Sequence, residues 1–302
     1  MLNYPRSEIP IEVKSYIEDV CATLKSDFEQ KLVSVVLFGG VAEGYFAKDV
    51  SDVDIIVVLS DTCSKEDIKK ARTTMKNIEI KYNFSRESGE INRLLQLFNE
   101  HIGIFTSHFV CKKSAFENGN FNKMFLRITP FFLIADLIVP KRIVLTNFSG
   151  SGRVIYGADL LQQIKISKCG IIELIKDCIM NFVLSLVAIG VYPFSNAATK
   201  YSLGAMKWSF INCKTYLHGQ STDLEEARKY FMQNKIIGNF LREMFRLREN
   251  YKSDRHFVVT APLRITYIHL ITMKYHKQKI KVEPSTPYSA TTSSPTHPLP
   301  KK

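Results

Sequence analysis

The chain has 302 residues, with 41 Lys and Arg against 29 Asp and Glu, which gives a formal net charge of +12. Hydrophobic residues make up 45% and charged residues 23% of the sequence, proportions that exclude a wholly disordered or collagen-like chain. The length is sufficient for two domains, and the positive charge indicates an anionic partner without identifying its class.

The first half of the chain alternates segments of helical and strand character. Helical spacing of apolar residues predicts a helix over residues 8–29, and two runs rich in β-branched residues predict buried strands. These strands are expected at 31–38 and 53–59; further helices are expected at 64–76 and 88–99, and further strands at 77–83 and 103–111. This alternation is typical of a sheet domain with packed helices.

The second half reads as helices with short connections, expected at 159–190, 195–218, 222–251 and 257–280. Such a series predicts a helical bundle. Its most apolar stretch, 178–194, is shorter than the roughly 20 residues that a membrane span needs, which favours a buried bundle helix. The predicted fold class is therefore α+β: a small mixed-sheet domain at 1–157, an all-α helical bundle at 158–281, and a Pro-, Ser- and Thr-rich disordered tail at 282–302.

The number and spacing of the cysteines bear on the cellular compartment of the protein. Six cysteines are scattered without a C-x-x-C pair, mostly inside apolar runs, which is unlike a secreted disulfide framework. The first residues also lack a basic segment followed by an apolar one, as a signal peptide would have. We expect a soluble cytoplasmic protein with no membrane partner.

The residues that carry chemistry lie in the segment 37–59, LFGGVAEGYFAKDVSDVDIIVVL. Gly39 and Gly40 end the first predicted strand, and glycines there allow backbone N–H groups to approach an anion closely. Asp52 and Asp54 begin the second strand, and residues two apart on a strand point to the same face. Two adjacent carboxylates bind Mg²⁺ well, so this segment combines a phosphate-binding turn with a metal-binding pair.

This segment resembles the nucleotidyltransferase superfamily related to DNA polymerase beta, whose motif is a glycine pair, a spacer and Asp-x-Asp on a strand. The longer pattern of its small-substrate branch is matched at Gly39, Ala42, Gly44, Ser51, Asp52, Asp54 and Ile55. The sequence departs from that pattern at Gly40, where serine is common, and at Glu43, where arginine is frequent. The segment 153–161, RVIYGADLL, resembles the exit from the catalytic domain of these proteins.

The helices beyond it resemble the helical domain of aminoglycoside adenylyltransferases and kanamycin nucleotidyltransferase-like proteins. The resemblance implies transfer of a nucleoside monophosphate, AMP from ATP in the first instance, to an acceptor hydroxyl with release of pyrophosphate. It implies two Mg²⁺ ions held by Asp52 and Asp54. It also implies that the nucleotide is bound by Gly39, Gly40 and Ser51. Lys200 and Lys207 lie two helical turns apart on one predicted helix face, where they are either nucleotide-binding residues that reach the triphosphate or solvated bundle residues.

A third carboxylate on a neighbouring strand completes the site of the family that this chain resembles. On the predicted strand 77–83, Glu79 is the candidate for a metal ligand or general base, against the alternative of a surface charge. The other candidate strand, 103–111, offers Ser107 and His108 but no acid, and Glu100 is a weaker candidate. Without a third acid, the activity would be reduced, or the fold would serve as a catalytically silent nucleotide-binding or interaction protein.

Two basic clusters bear on the acceptor. The run 274–281 and the arginines Arg242, Arg246 and Arg248 can contact nucleic acid, but solvated helix faces are the favoured interpretation. The acceptor is left open among a small molecule, a protein side chain and an RNA end.

Overall fold

The computed structural model describes residues 11–44, 46, 52–82, 84, 107–126, 136–195 and 197–282. The predicted helix at 88–99, the predicted tail from 283 onward, Ser51 and Glu100 lie outside the described residues. Within the described part, the chain forms four strands: β1 (Leu32–Phe38), β2 (Asp54–Leu59), β3 (His108–Lys112) and β4 (Arg153–Gly157).

The helices precede, separate and follow these strands. In chain order they are α1 (Ile11–Phe28), α2 (Gly39–Ala42), α3 (Lys65–Lys81), α4 (Lys113–Glu117), α5 (Phe121–Phe125), α6 (Lys141–Ser151), α7 (Ile171–Val191), α8 (Ala198–His218), α9 (Leu224–Phe231), α10 (Lys235–Glu249) and α11 (Arg255–Val282). The predicted α+β class, a mixed sheet followed by a helical region, is confirmed.

The strands form one sheet in the order β3-β2-β1-β4. β1 is antiparallel to both β2 and β4, whereas β2 and β3 are parallel. Because side chains alternate along a strand, Ile55 and Val57 face the core built with α1 and α3, whereas Ile56 and Val58 face a second core built with α5 and α6. Both faces of the sheet are thus covered, which explains why its central strands are continuous apolar runs.

The predicted strand at 77–83 is wrong, because α3 continues through Lys81. The helix begins at a capping box in which the Ser64 and Asp67 side chains accept hydrogen bonds from each other's backbone N–H. Its buried residues Ala71, Met75 and Ile78 recur at helical spacing against α1. Tertiary packing therefore overrides the local β-propensity of Ile78 and Ile80.

Two helix predictions in the second half need correction. The helix expected at 159–190 begins only at Ile171, after a short 3₁₀ turn at Leu161–Gln163. The helix expected at 222–251 is two helices, since α9 ends at Phe231 and Asn234 caps α10 by accepting from the N–H groups of Ile236 and Ile237.

The helical region has its own core, built by α8, α9, α10 and α11 around Phe210, Leu241 and Phe257. α6 joins this region to the sheet, because Ile143 packs in the helical core while Leu145 and Phe148 pack on the sheet. The domain boundary near residue 157 remains a prediction.

α7 is the helix predicted to be buried, and the prediction holds for one side only. This described helix is long and apolar enough to cross a membrane by length and composition, yet it packs against α8 and α11. Its polar residues Asp177, Asn181 and Ser185 are buried on the packed side, while Ile172 and Ile179 on the opposite side are 65% and 45% exposed.

Candidate active site

The glycine pair forms a tight turn between β1 and α2. Gly39 has a φ of +70°, a left-handed conformation that residues with a side chain rarely adopt. A Cβ atom at this position would come within 3.0 Å of the Oδ2 atom of Asp54. Glycine is therefore required here both by the backbone and by the proximity of a carboxylate on the next strand.

The register of the sheet explains this proximity. The last residue of β1, Phe38, pairs with Asp54 at the start of β2, so that Gly39 follows directly beside the carboxylate. Asp54 shares its sheet face with Ile56 and Val58, the face covered by the helices of the second core. Asp52 is two residues earlier and about a quarter exposed.

Cationic side chains reach this position from α8. Lys200 Nζ lies 3.5 Å from Asp52 Oδ1. Lys207 lies two helical turns further along the same face, with its Nζ 4.7 Å from the centre of the Trp208 ring. Burial and the charge of Arg248 lower the pKa of Lys207, while Glu43, Asp54 and Asp52 act in the opposite direction. The two lysines thus belong to one electrostatic cluster with the Asp-x-Asp pair.

Glu43 and Arg248 complete the cluster. The sequence pattern places Arg248 on a basic helix face and does not predict that it lies in this site. Arg242 and Arg246 are exposed as expected of a solvated helix face, but Arg248 is only 8% exposed and the same interpretation is wrong for it. Burial raises the pKa of Glu43, while Lys207 lowers it. Burial also lowers the pKa of Arg248, which the charge of Glu43 opposes. The glutamate at position 43 could have indicated this, because the family pattern frequently has arginine there and its positive charge has to come from another part of the chain. In the structure, Lys207 and Arg248 supply positive charge next to Glu43.

These groups line one cavity of about 250 Å³ between the sheet and the helices α6, α7 and α8. Of the residues predicted from the sequence, six line it together: Gly39, Gly40, Asp52, Asp54, Lys200 and Lys207. Two neighbouring carboxylates supply the hard oxygen ligands that suit Mg²⁺, and the lysines and Arg248 would balance a bound triphosphate.

The match to a known family covers the glycine turn and the carboxylates. Residues 17–100 match the family model described as the nucleotidyltransferase domain. The chain carries a nucleotidyltransferase domain. This confirms the resemblance that the motif indicated and places the cavity beside the characteristic motif of that domain.

Comparison with solved structures extends over more of the chain. A similar structure is that of spectinomycin adenyltransferase AAD(9) from Enterococcus faecialis with ATP and spectinomycin, at 12% sequence identity and a TM-score of 0.48. The alignment covers 86% of this chain and 99% of that chain. The search of curated proteins found no match.

Glu79, the predicted third carboxylate of the nucleotidyltransferase domain, lies on α3 rather than on a strand. Its Oε1 accepts a hydrogen bond from the Ser107 hydroxyl, and its Oε2 lies 3.2 Å from His108 Nδ1. His108 pairs with Ile55, so it shares the sheet face of α1 and α3, opposite to that of Asp54. Glu79 does not appear among the described residues that line the cavity.

The charges of Glu79 and Asp54 nevertheless both act on the phenol of Tyr16. Burial raises the pKa of Tyr16, and the charges of Glu79 and Asp54 raise it further. The phenol of Tyr16 is fully buried. The role of Glu79 as a base or metal ligand stays a prediction, and its observed partners are Ser107 and His108.

A second group of potential ligands lies in the helical region. Asp177, Cys213 and His269 are fully buried, and one donor atom of each lies within 4.8 Å of the others. Asp177 and His269 form an ion pair within this group. His269 Nδ1 faces the carbonyl of Ile265 at 2.8 Å and must donate to it, while Nε2 lies 2.8 Å from Asp177 Oδ2. Burial alone would lower the pKa of His269, but Cys213 and Asp177 raise it well above its usual value.

A chain of amide side chains joins this ion pair to the cavity that contains Asp52 and Asp54. The side-chain amide of Asn212 donates to Asp177 Oδ1 at 2.7 Å, and that of Asn147 donates to the Oδ1 of Asn212 at 2.9 Å. Asn147 in turn accepts from the hydroxyl of Thr215 and the N–H of Thr222. Because Asn147 and Asn212 both line the cavity, the network fixes part of its wall.

Proposed function

We propose that this protein is a Mg²⁺-dependent nucleotidyltransferase that moves AMP from ATP to an acceptor hydroxyl and releases pyrophosphate. The observation that carries the proposal is the close approach of Gly39 to Asp54 beside a cavity that also contains Asp52 and Lys200. This arrangement joins an anion-binding turn to a carboxylate pair. ATP is proposed as the donor because the motif resembles that of adenylyltransferases.

In the proposed reaction, the acceptor oxygen attacks the α-phosphorus of ATP, the bond to the pyrophosphate oxygen breaks, and the acceptor loses its proton to a base. Asp52 and Asp54 would hold the metal, which when bound supplies positive charge to the triphosphate oxygens. Gly39 and Gly40 would present backbone N–H groups to a phosphate. Lys200 and Lys207 would neutralise the negative charge that develops on the leaving pyrophosphate.

The second candidate is a nucleotide-binding protein without transferase activity. The observation that favours it is the position of Glu79, which is engaged by Ser107 and His108 instead of lining the cavity. Without an acid near the acceptor, the proton of the attacking hydroxyl has no identified destination. On this alternative, ATP and Mg²⁺ bind but no pyrophosphate is released.

The two candidates are separated by measuring binding and product in the same preparation. Calorimetry with ATP and Mg²⁺ reports binding, and an assay for released pyrophosphate and transferred radiolabel reports catalysis in the presence of hydroxyl-bearing acceptors. Asp52→Asn is expected to reduce transfer at least about 100-fold, because a misplaced or missing metal ligand disrupts the reacting geometry.

The matched control is Asp27→Asn. Asp27 is partly exposed, pairs with Lys70 at 2.9 Å and accepts a hydrogen bond from the Thr74 hydroxyl at 3.0 Å, and it is not among the described residues that line the cavity. Transfer should therefore be unchanged in this variant. Equal transfer by Asp52→Asn and the unmodified protein would reject the metal assignment, while binding without pyrophosphate release from any acceptor would favour the second candidate.

A further inference from the structure

The cavity has two ends of different chemistry. We call the part lined by Gly39, Gly40, Asp52, Asp54, Lys200 and Lys207 the catalytic end. The part lined by Phe38, Phe109, Phe125, Phe148, Val144 and Leu184 is called the apolar end. A binding site for nucleotide alone explains the catalytic end but leaves the apolar end without a ligand.

The apolar end begins directly beside the carboxylates. Phe38 is the register partner of Asp54, so its side chain lies on the same face of the sheet. The Phe38 ring lies 5.9 Å from Phe109 and 5.2 Å from Phe148, and Phe109 lies 5.1 Å from Phe125, measured between ring centres. These rings form a connected aromatic wall that extends from the catalytic end. A molecule placed against this wall can therefore present a hydroxyl at the carboxylates.

Charge restricts what this molecule can be. Among the described residues that line the cavity, the carboxylates are Glu43, Asp52 and Asp54, all at or beside the catalytic end. Glu43 interacts with Lys207, and Asp52 lies 3.5 Å from Lys200. The described apolar end offers no carboxylate to a cationic ligand. Burying an ammonium group against phenylalanine side chains without a partner is strongly unfavourable compared with leaving it in water.

We propose that the acceptor is a hydroxyl-bearing molecule whose alkyl or aryl segment fills the apolar end, and that it is not a polycation. This inference rests on the proposed function, because it assigns the acceptor of that reaction. Apolar lining with few polar groups is the usual composition of sites for small molecules. The other possible occupant of the apolar end is the base of the nucleotide, which the experiment below distinguishes.

The first experiment measures binding without requiring catalysis. The sequence contains one tryptophan, Trp208, and it lines the cavity, so its fluorescence reports on occupancy. The protein is loaded with Mg²⁺ and the α,β-methylene analogue of ATP, and then titrated with straight-chain primary alcohols of increasing length. Affinity is expected to rise about fourfold for each added methylene group, until the apolar end is full.

Two substitutions test where the alcohol binds. Val144→Phe, at the apolar end, is expected to weaken binding of the longer alcohols at least tenfold by filling the space. The control is Val183→Phe, the same change at a residue of α7 that is 42% exposed on the outer side of the helix, and it should leave binding unchanged. Because Val144→Phe could disturb packing, Val144→Ala is the second variant, and it should extend the series to longer alcohols before affinity levels off.

The second experiment measures catalysis with the same compounds. Transfer of radiolabelled AMP to the alcohols should follow the same dependence on chain length, and spectinomycin should be a poor acceptor. Transfer to spectinomycin but not to the alcohols would overturn this inference and leave the proposed function intact. Pyrophosphate release from no acceptor, with chain-length-dependent binding retained, would reject the proposed function and leave the apolar binding site standing.

Other results of the binding experiment would also overturn the proposed acceptor class. Alcohols that bind only in the absence of the nucleotide analogue would assign the apolar end to the base and overturn the inference. Affinity that does not depend on chain length, or that is equal in Val144→Phe and Val183→Phe, would also overturn it.

Discussion

Replacing Gly39 with alanine separates the stability of the turn from its function. The residue has a φ of +70°, and an added Cβ would come within 3.0 Å of Asp54 Oδ2. The left-handed conformation alone costs an alanine roughly 1–2 kcal/mol. The overlap adds to this cost unless the carboxylate moves. Since Asp54 lines a cavity, rotation of its side chain into that space would relieve the overlap with the added methyl group.

The expected result is thus a small loss of stability and a large loss of activity. Unfolding in urea should give a free energy lower by about 1–2 kcal/mol. Nucleotidyl transfer should fall about 100-fold or more, because displacement of a metal-binding group by about 1 Å is enough for a loss of that size. Calorimetry should show weaker Mg²⁺-dependent binding of ATP, with metal-independent binding less affected.

Gly190→Ala is the matched control for this substitution. Gly190 lies in α7, and a Cβ there would meet no atom within 4 Å. Alanine is favoured over glycine inside a helix by up to about 1 kcal/mol, so this variant should be as stable as the original protein or more so, with full activity. Full activity in Gly39→Ala would refute the proposal that the glycine turn and Asp54 act together in the reaction.

The remaining predictions concern stability. The pKa of His269 is raised in the folded protein, so its ion pair with Asp177 is fully stabilising below the unfolded value of about 6.5 and is lost as pH rises through the folded value. The free energy of unfolding should therefore fall by up to about 1.4 kcal/mol per pH unit above pH 6.5, as measured by urea unfolding, and His269→Asn should remove this slope. An unchanged slope would contradict the assigned ion pair. Gly157→Ala should destabilise the protein by at least about 2 kcal/mol, because Gly157 has a φ of +83° and its added Cβ would overlap the carbonyl oxygen of Val33. Gly190→Ala, where an added Cβ meets nothing within 4 Å, is the control and should not lower stability. Equal thermal midpoints for Gly157→Ala and Gly190→Ala would contradict the close contact between Gly157 and the Val33 carbonyl.

The electrostatic cluster in the cavity has a functional consequence. Glu43 directly follows α2, whereas Lys207 and Arg248 lie on α8 and α10, so the sheet domain and the helical region share one set of charges. A triphosphate bound at the catalytic end would compete with Glu43 for both cations. Nucleotide binding would thereby be coupled to the contact between the two parts of the chain.

The strands on either side of the glycine turn could be predicted from the sequence alone. β1 and β2 were predicted within one or two residues, because each is a short apolar run with a clear boundary at Gly39 or Asp54. The Asp-x-Asp spacing also placed Asp52 and Asp54 on one face, since side-chain alternation is a local property of a strand. Local geometry and composition were sufficient for these features.

The residues that face Asp52 and Asp54 across the cavity depend on long-range packing and could not be predicted from local sequence. The strand interpretation of residues 77–83 failed because packing of α3 against α1 outweighed local propensity, and this moved Glu79 to the other side of the sheet from Asp54. The burial of Arg248 and the aromatic wall beside Phe38 likewise depend on which helices meet at the cavity. The sequence could therefore identify the carboxylate pair, whereas the charge and shape of the cavity around it arise from contacts between residues far apart in the chain.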